Sequence, residues 1–299
     1  MKNLIPIYFL LCVFCILSCS KDDPTIIHKL KEKNLASITQ TYEVDMDLNT
    51  DGGITIVTDA GCKFNLDPKN FYSVLPELKG KINIDIIEIF DRGTMAITGK
   101  HTMSYDSILI SGGEFFLSAY QGDNMIYSDD FISVEVPVEL TGDFYEDMQL
   151  FSGGSEGQNT LRDWRLIRGL PEILGVFGQD DTTSYSLVFS GFNWYNCDRF
   201  YDDPRERIYL DISYPSQFKN KSVAVYLAIK GEKNSLGLAN QGLFPIGLDV
   251  HLIFTVEVDD QFLYQIITDK ISDKTYKFDQ DKMGLVNPAQ LKDIINNLD

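Results

Sequence analysis

Strict alternation of apolar and polar residues recurs along this 299-residue chain and constrains its fold more than any other feature. The alternation is clearest at residues 41–48, 82–86, 132–140, 207–212 and 252–258. Successive side chains of a β-strand point to opposite faces, so this pattern places one face on a core and the other in water. It predicts a mainly β chain with antiparallel sheets, rather than the buried parallel sheet of an α/β protein.

Three local features refine the strand prediction. Ile86-Ile87 interrupts the alternation and indicates a bulge. Pro137 removes a backbone donor from its strand, which favours an edge strand or a bulge at that point. Asp259-Asp260 separates two apolar runs and predicts a hairpin.

One helix is predicted, at the end of the chain. Asn287 is a suitable N-cap, and Pro288 suits the first turn because its missing N–H has no intrahelical partner there. Its apolar stripe consists of Leu291, Ile294, Ile295 and Leu298. We expect a helix over residues 288–298 that packs this stripe on a sheet.

The first twenty residues have the composition of an export signal. Lys2 is the only charged residue before residue 21, and an apolar run follows it over residues 4–17. A membrane-spanning helix needs about 20 apolar residues, so this run is too short to be one. It matches the positive and apolar regions of a signal peptide. An ordinary cleaved signal or a short anchor helix is the alternative to the lipoprotein signal described next.

The end of this run, Ile16–Cys19, resembles the lipobox of bacterial lipoproteins. That resemblance implies removal of residues 1–18 and a lipid on Cys19 that attaches the protein to the membrane. Residues 20–23, Ser-Lys-Asp-Asp, resemble the surface-export signal of Bacteroidetes lipoproteins. They imply an outer-membrane protein that faces the cell exterior. If they are an ordinary solvated linker, the periplasmic face is the alternative.

The rest of the chain is predicted to form two antiparallel β-sandwich-like domains, the second with the short C-terminal helix. Residues 19–38 would be the lipid anchor and tether, 39–141 the first domain and 184–299 the second domain. The connecting segment is placed at 142–183 because it contains the Gly/Ser-rich stretch 152–157.

Part of the first domain resembles the opening of ZU5-like β-sandwich domains. The resemblance rests on the Gly52-Gly53 strand, the turn at 66–71 and the long alternating strand at 81–89. The turn departs from the family, since Leu66-Asp67-Pro68 stands where the family has Ile-Pro. Residues 191–200 resemble Bacteroidetes lipoproteins that pair such a domain with another β domain. ZU5-like domains are generally interaction modules, so the resemblance implies a binding role without naming a ligand.

The charge of the chain restricts its partners. The formal net charge of −18 argues against nucleic acid, which is bound through Lys and Arg on phosphates. It also disfavours broad contact with an anionic membrane surface, so membrane attachment is expected through the lipid on Cys19. Five cysteines are too few for a disulfide scaffold. Cys62 and Cys197 are interpreted as two buried thiols, with a disulfide between them as the alternative.

No metal or cofactor is predicted. Residues 47–52 match the first half of a calcium loop, but Thr58 stands where a bidentate Glu is required. The three histidines have no second ligand at zinc spacing, and His251 falls on the outward face of its strand.

We predict that the protein is not an enzyme. Ser155 lies in the Gly-x-Ser-x-Gly string 153–157, which α/β-hydrolases use for their nucleophile. The flanking segment lacks the strand–turn–helix context, so we expect Ser155 to be dispensable. Glycosidases need two carboxylates flanking a bond, and a hydrolase therefore stays the alternative. Paired acids recur at 129–130, 180–181, 202–203 and 259–260.

The densest cluster of aromatic and polar side chains lies at residues 194–205. Such groups stack on sugars or peptides and hydrogen-bond to them. The segment is interpreted first as a structural corner, with Trp194 in the core and Arg–Asp pairs holding the turn. It is also the best candidate for ligand contact. The candidate residues are Trp194, Tyr195, Asn196, Asp198, Arg199, Asp202 and Arg205.

These patterns together predict a surface-exposed outer-membrane lipoprotein that acts as a non-catalytic binding or protein-interaction module. A glycan or another surface protein would be its ligand. The alternatives are an extracellular hydrolase of glycan or peptide, and a structural subunit of an outer-membrane complex. An exposed row of aromatic side chains would favour glycan binding, converging carboxylates a hydrolase, and a large flat apolar patch a subunit.

Replacing Cys19 with Ala in the native host is expected to release the protein from the outer membrane. Each buried CH₂ of a lipid chain contributes about 0.8 kcal/mol to anchoring, and the variant has no residue that receives it. Fractionation of the cells measures the effect. Membrane retention equal to that of the wild type would contradict lipidation at Cys19.

Overall fold

The computed structural model describes residues 29–47, 53–74, 78–153, 163–168, 174–177, 183–219 and 221–299. The chain is mainly β, as predicted, with several antiparallel sheets. The helices are α1 Lys29–Ser37, α2 Arg92–Thr98 and α3 Pro288–Asn296. The strands are β1 Gln40–Asp45, β2 Ile54–Val57, β3 Lys63–Leu66, β4 Phe71–Ser73, β5 Lys81–Ile89, β6 Met103–Ser104, β7 Ser107–Gln121, β8 Asn124–Ser128, β9 Phe131–Pro137, β10 Gln149–Ser152, β11 Arg165–Leu166, β12 Leu174–Phe177, β13 Thr183–Ser190, β14 Trp194–Phe200, β15 Arg207–Tyr209, β16 Asp211–Ser213, β17 Val223–Ile229, β18 Gly237–Leu238, β19 Leu243–Pro245, β20 Asp249–Val258, β21 Gln261–Lys270, β22 Thr275–Lys277 and β23 Gly284–Val286.

Three larger sheets and two ribbons organise these strands. The first sheet runs β1-β5-β7-β14-β10-β11, with β8 also paired to β7, β4 to β8, and β6 to β7. The second sheet runs β12-β13-β9-β3-β2, and the third runs β18-β17-β20-β21-β23. The ribbons are β15–β19, which is antiparallel, and β16–β22, which is parallel.

The first core lies between the first and second sheets and makes them a β-sandwich. The alternating residues of β5, Ile82, Ile84 and Ile86, are buried in it, together with Val134 and Val136 of β9. These are residues whose period-2 pattern predicted one buried face. The alternation thus determines which face of each strand meets the opposite sheet.

A second core joins the other face of the first sheet to the three helices and the third sheet. Ile87 and Phe116 of the first sheet share it with Tyr226 and Ile253 of the third sheet and with Leu291 of α3. A third core covers the opposite face of the third sheet and also takes Ile108 and Ile110 of β7. The central strands of the third sheet, β17 and β20, are therefore buried on both faces.

The Ile86-Ile87 doublet is not a bulge. β5 pairs with β7 in unbroken register, with Ile86 opposite Leu117 and Ile87 opposite Phe116. Ile86 lies in the first core and Ile87 in the second. The alternation breaks because the strand becomes buried on both of its faces at this point, a situation that produces continuous apolar runs.

Pro137 does not mark an edge strand. β9 lies inside the second sheet, between β13 and β3. Pro137 is its last residue, and the pairing with β3 ends before it, at Glu135 opposite Lys63. The proline lies past the end of that ladder, where its missing N–H removes no bond to β3.

The predicted tether contains a docked helix. Residues 19–28 lie outside the described residues, but α1 occupies most of the remainder and buries Leu30 and Leu35. The amide of Leu30 donates to Glu257 Oε2 at 3.2 Å, and Lys33 Nζ lies 3.1 Å from Asp260 Oδ1. The sequence pattern missed α1 because its hydrophobic periodicity is weak and its burial comes from tertiary contacts.

Strands cross the predicted boundary between the two domains. β13 pairs with β9, and β14 pairs with β7, so residues 183–200 complete both sheets of the first sandwich. The Gly/Ser-rich composition indicated a connecting segment. Composition alone does not determine which sheet the strands after that segment join.

The predicted hairpin and C-terminal helix are confirmed. Asp259-Asp260 joins β20 to β21, and Asp259 has a positive φ of 54°. At α3, the side chain of Asn287 accepts from the amide of Gln290, whose own side chain caps Asn287 in return. The helix packs on α2 and on β21, and α2 was not predicted.

Leu291→Ala is expected to destabilise the protein by about 3 kcal/mol, because Leu291 is fully buried in the second core. Leu285→Ala is the matched control, since Leu285 is 51% exposed. Urea denaturation measures both. Equal midpoints for the two variants would contradict the docking of α3.

Candidate functional site

The predicted contact segment 194–205 divides into a buried part and an exposed part. β14 begins inside the protein and ends at the surface. Trp194, Tyr195, Asn196 and Asp198 are buried. Arg199 is partly buried, and Asp202 and Arg205 are exposed.

Aromatic packing holds the first residues of β14 in the interior. Trp194 contacts Phe116 and Trp164, with ring centroids 5.1 Å and 6.4 Å apart. The ammonium of Lys100 lies 4.4 Å above the Trp194 ring. Tyr195 stacks on Phe189 at 3.8 Å. The interpretation of Trp194 as a core residue therefore fits the structure.

A bulge in β7 brings polar side chains together beside Trp194. Ser111 lies opposite Asp198 and Glu114 opposite Asn196, so three steps along β7 match two steps along β14. Gly113 sits in the bulge with φ of +128°, and a Cβ there would lie 2.8 Å from Phe115 Cζ. Only glycine suits such a position. The extra residue turns Ser111 and Glu114 to the same side of the strand.

These residues form a buried polar cluster, defined as Lys100, Ser111, Glu114, Asn196 and Asp198, in which hydrogen bonds join Ser111, Asn196 and Asp198. Ser111 Oγ donates to Asn196 Oδ1 at 2.9 Å, and Asn196 Nδ2 donates to Asp198 Oδ2 at 2.5 Å. Neither carboxyl oxygen of Glu114 has a hydrogen-bond partner among the described residues. All five are at most 2% exposed, so the cluster is closed to solutes.

Burial dominates the electrostatics of the cluster. It raises the pKa of Glu114 to about 8, and the nearby Lys100 opposes this rise. It raises the pKa of Asp198 well above its ordinary value, and Glu114 raises it further. It lowers the pKa of Lys100 to about 8. Low-polarity surroundings disfavour the charged form of each group, so the Glu114 carboxyl, with a pKa of about 8, holds its proton at neutral pH.

A surface cleft of about 300 Å³ opens at the other end of β14. The ends of β7, β10 and β14 and the loop after β14 form it. Gln149 begins β10 and lies opposite Asp198, while Phe200 ends β14 opposite Leu109. The lining residues are Ser107, Asp147, Gln149, Phe200, Tyr201, Asp202 and Arg207.

Internal contacts fix the walls of this cleft. Phe200 packs edge-on against Phe151, with centroids 5.6 Å apart, and stays 38% exposed. Arg207 donates to the carbonyl of Tyr201 at 3.2 Å. Asp202 is exposed, and no described residue forms an ion pair with it. The cleft therefore offers an aromatic face, an amide and a carboxylate to a solute.

Two arginines of the predicted segment make Arg–Asp contacts. Arg205 Nε donates to Asp203 Oδ1 at 2.9 Å and holds the pKa of Asp203 at about 2. Arg199 lies 3.8 Å from Asp147 and stacks on Tyr145 at 4.0 Å. Arg205 is part of a clamp in the turn, as the corner interpretation requires. Asp147, the partner of Arg199, lines the cleft.

His251 is buried, contrary to its predicted outward position. It is 2% exposed, its Nδ1 lies 2.8 Å from Thr268 Oγ1, and its Nε2 lies 3.0 Å from the carbonyl oxygen of Asp299. The face of β20 that alternation assigned to water is covered by the second core and the C-terminal residues.

The remaining predicted sites divide between described and undescribed parts of the chain. Cys19, Ser155 and most of the calcium-loop match lie outside the described residues. Cys62 and Cys197 are free, buried thiols in the first core. Within the described ranges, no group of three metal-ligating side chains converges, and no helix is long and apolar enough to cross a membrane.

Comparison of the chain with protein-family models, characterised proteins and solved structures finds no match. The resemblances to ZU5-like domains and to Bacteroidetes lipoproteins therefore stay predictions.

Sequence reasoning missed the buried polar cluster and half of the cleft. Glu114 had a signal, because it is the only charged residue in the long apolar strand β7. A lone charge in such a run indicates a buried ionisable group. No sequence signal pointed to Asp147 and Gln149, because they lie in the segment 142–183 that was predicted to connect two domains.

Glu114→Gln is expected to flatten the loss of stability between pH 5 and pH 8. The folded state keeps the Glu114 proton up to a pKa of about 8, whereas the unfolded chain releases it near pH 4.5. The unfolded state therefore binds fewer protons in this window, and the free energy of unfolding falls as pH rises.

Because Gln does not titrate, the variant should lose the Glu114 contribution to the pH dependence. The fall of the free energy of unfolding should become less steep by up to about 1.4 kcal/mol per pH unit. Denaturation at pH 5, 6.5 and 8 measures the slope. Glu114 is neutral at pH 5, so that point serves as the internal control. A slope that matches the wild type would contradict a protonated Glu114.

Proposed function

We propose that this protein is a lipid-anchored outer-membrane protein that faces the cell exterior and acts as a non-catalytic binding module. The export signal and the lipobox-like residues ending at Cys19 support the location. The observation that carries the binding role is the surface cleft, which combines an exposed aromatic ring with hydrogen-bonding groups.

The chemistry of the cleft suits a short glycan. Phe200 provides a ring face for the apolar side of a sugar, and Gln149 and Asp202 can hydrogen-bond to hydroxyls. A volume of about 300 Å³ is at the lower end of ligand pockets, which favours a small portion of a chain. Another surface protein is the second ligand class consistent with the resemblance to interaction modules.

A hydrolase is the competing function, because Asp147 and Asp202 line the same cleft. A glycosidase needs one carboxyl group that burial keeps protonated to act as the acid. Asp147 is 66% exposed and lies beside Arg199, and Asp202 is exposed. Both environments suit carboxylates that bind hydroxyls, so the binding role is the one we propose.

Phe200→Ala and Asp202→Asn are each expected to weaken oligosaccharide binding about tenfold, because each removes one direct contact in the cleft. An array of short neutral oligosaccharides identifies the ligand, and titration calorimetry compares the variants. Tyr209→Ala is the control, since Tyr209 is 64% exposed and does not line the cleft. Release of reducing ends from the bound sugar would instead favour the hydrolase, and unchanged affinity in both variants would reject the cleft as the site.

A further inference from the structure

The outer face of the first sheet carries a second group of exposed aromatic side chains. We define the tyrosine row as Tyr72 of β4, Met125 and Tyr127 of β8, and Tyr120 of β7. Tyr72, Tyr127 and Met125 are 46%, 45% and 57% exposed. Their neighbours Phe71 and Ile126 point the other way and fill the first core, so the row is not needed to complete the packing.

The register of the strands makes this group continuous. Tyr72 lies opposite Tyr127, and Tyr120 lies opposite Met125. Met125 and Tyr127 are two residues apart and share one face of β8. The row therefore crosses three adjacent strands in the order Tyr72, Tyr127, Met125 and Tyr120. Neighbouring strands are about 4.8 Å apart, and side chains directly opposite each other are in contact. The Tyr72 and Tyr127 rings stack with centroids 5.7 Å apart and planes inclined by 28°.

Carboxylates hold two of the phenols in place. Tyr72 Oη donates to Asp129 Oδ1 at 2.9 Å, and Tyr120 Oη donates to Asp85 Oδ1 at 3.2 Å. Asp85 also accepts from Thr41 Oγ1 at 2.6 Å. Rings fixed in this way lose little conformational entropy when a partner binds, which favours affinity.

We propose that the tyrosine row is a binding surface for a neutral polysaccharide chain. Phenol rings offer faces to the C–H side of sugar rings, and the second oxygens of Asp85 and Asp129 can accept sugar hydroxyls. Asn83, opposite Tyr120 on β5, adds an amide that both donates and accepts. The surface is separate from the cleft, and it depends on the proposed function only in assuming an extracellular ligand.

The negative charge around the tyrosine row favours a neutral polysaccharide over anionic ligands and over a second copy of the chain. The carboxylates beside the row repel polyanions, and in a chain of net charge −18 they also disfavour a second copy on this face. A cationic peptide would be attracted by charge, and that attraction falls steeply with salt. A neutral polysaccharide is held by stacking and hydrogen bonds, which salt affects little.

Affinity electrophoresis of the full-length protein in mild detergent tests the proposal. The gels contain one of four neutral polysaccharides, namely mixed-linkage β-glucan, xyloglucan, galactomannan and amylopectin. Each is run at about 0.01 M salt, where charges act over about 30 Å, and at about 1 M salt, where they act over about 3 Å. We expect retardation by at least one, with the affinity of the Tyr72→Ala/Tyr127→Ala double variant at least roughly tenfold lower.

Two controls separate this site from the cleft and from general damage. Tyr209→Ala removes an exposed tyrosine elsewhere and should be retarded like the wild type. Phe200→Ala alters the cleft and shows how much of the retardation the cleft contributes, and we expect it to lose less retardation than the Tyr72→Ala/Tyr127→Ala double variant. If Phe200→Ala alone abolishes retardation, the cleft binds the polymer and the row proposal fails while the proposed function stands.

Three results would overturn the proposal. These are absence of retardation in all four polysaccharide gels, equal retardation of the double variant, and retardation only in a fifth gel that contains polylysine and only at low salt. The last outcome would assign the row to a cationic partner. Both tyrosines are exposed, so the double variant should fold, and its thermal midpoint verifies this.

Discussion

Strand β7 is the element on which the rest of this structure depends. It is buried on both faces over residues 108–117. It contributes side chains to all three cores: Phe115 and Leu117 to the first, Leu109 and Phe116 to the second, and Ile108 and Ile110 to the third. It also pairs with β5, β8 and β14. Removing apolar surface from water is the dominant favourable term in folding, and here one strand takes part in all three regions where that surface is buried.

Beside its bulge, β7 also forms hydrogen bonds with the segment 234–236. The carbonyl of Asn234 accepts from the amide of Ser111, and the amide and carbonyl of Leu236 bond to Thr102. Ser235 Oγ donates to the carbonyl of Leu109 at 2.9 Å. The segment 234–236 thus provides the hydrogen bonds that buried backbone groups of β7 require. The buried polar cluster lies beside this contact, and Glu114, whose carboxyl oxygens have no hydrogen-bond partner among the described residues, lowers stability there.

The sequence predicted strands well where one face meets water and poorly where neither does. The alternation in β5 and β9 correctly assigned Ile84 and Val134 to a core. It failed at Ile87 and His251, because a helix or a second sheet covers the face it assigned to solvent. Local pattern cannot report what covers a strand, since that depends on residues far away in the chain.

The candidate site was predictable to a similar extent. Asp202 was identified because aromatic and polar residues are dense around it, and Trp194 was recognised as the core residue of the same segment. Asp147 and Gln149 join the cleft only because β10 pairs with β14. The tyrosine row was equally hidden, because register and not sequence spacing brings Tyr72 beside Tyr127. Sites assembled by sheet pairing have no signature in one segment.

Calorimetry of thermal unfolding tests the central claim that β7 joins the cores into one cooperative unit. We expect a single heat-absorption peak whose calorimetric and van't Hoff enthalpies agree, since no core can unfold without exposing β7. Two separable peaks, as expected for two domains joined by a linker over residues 142–183, would contradict it.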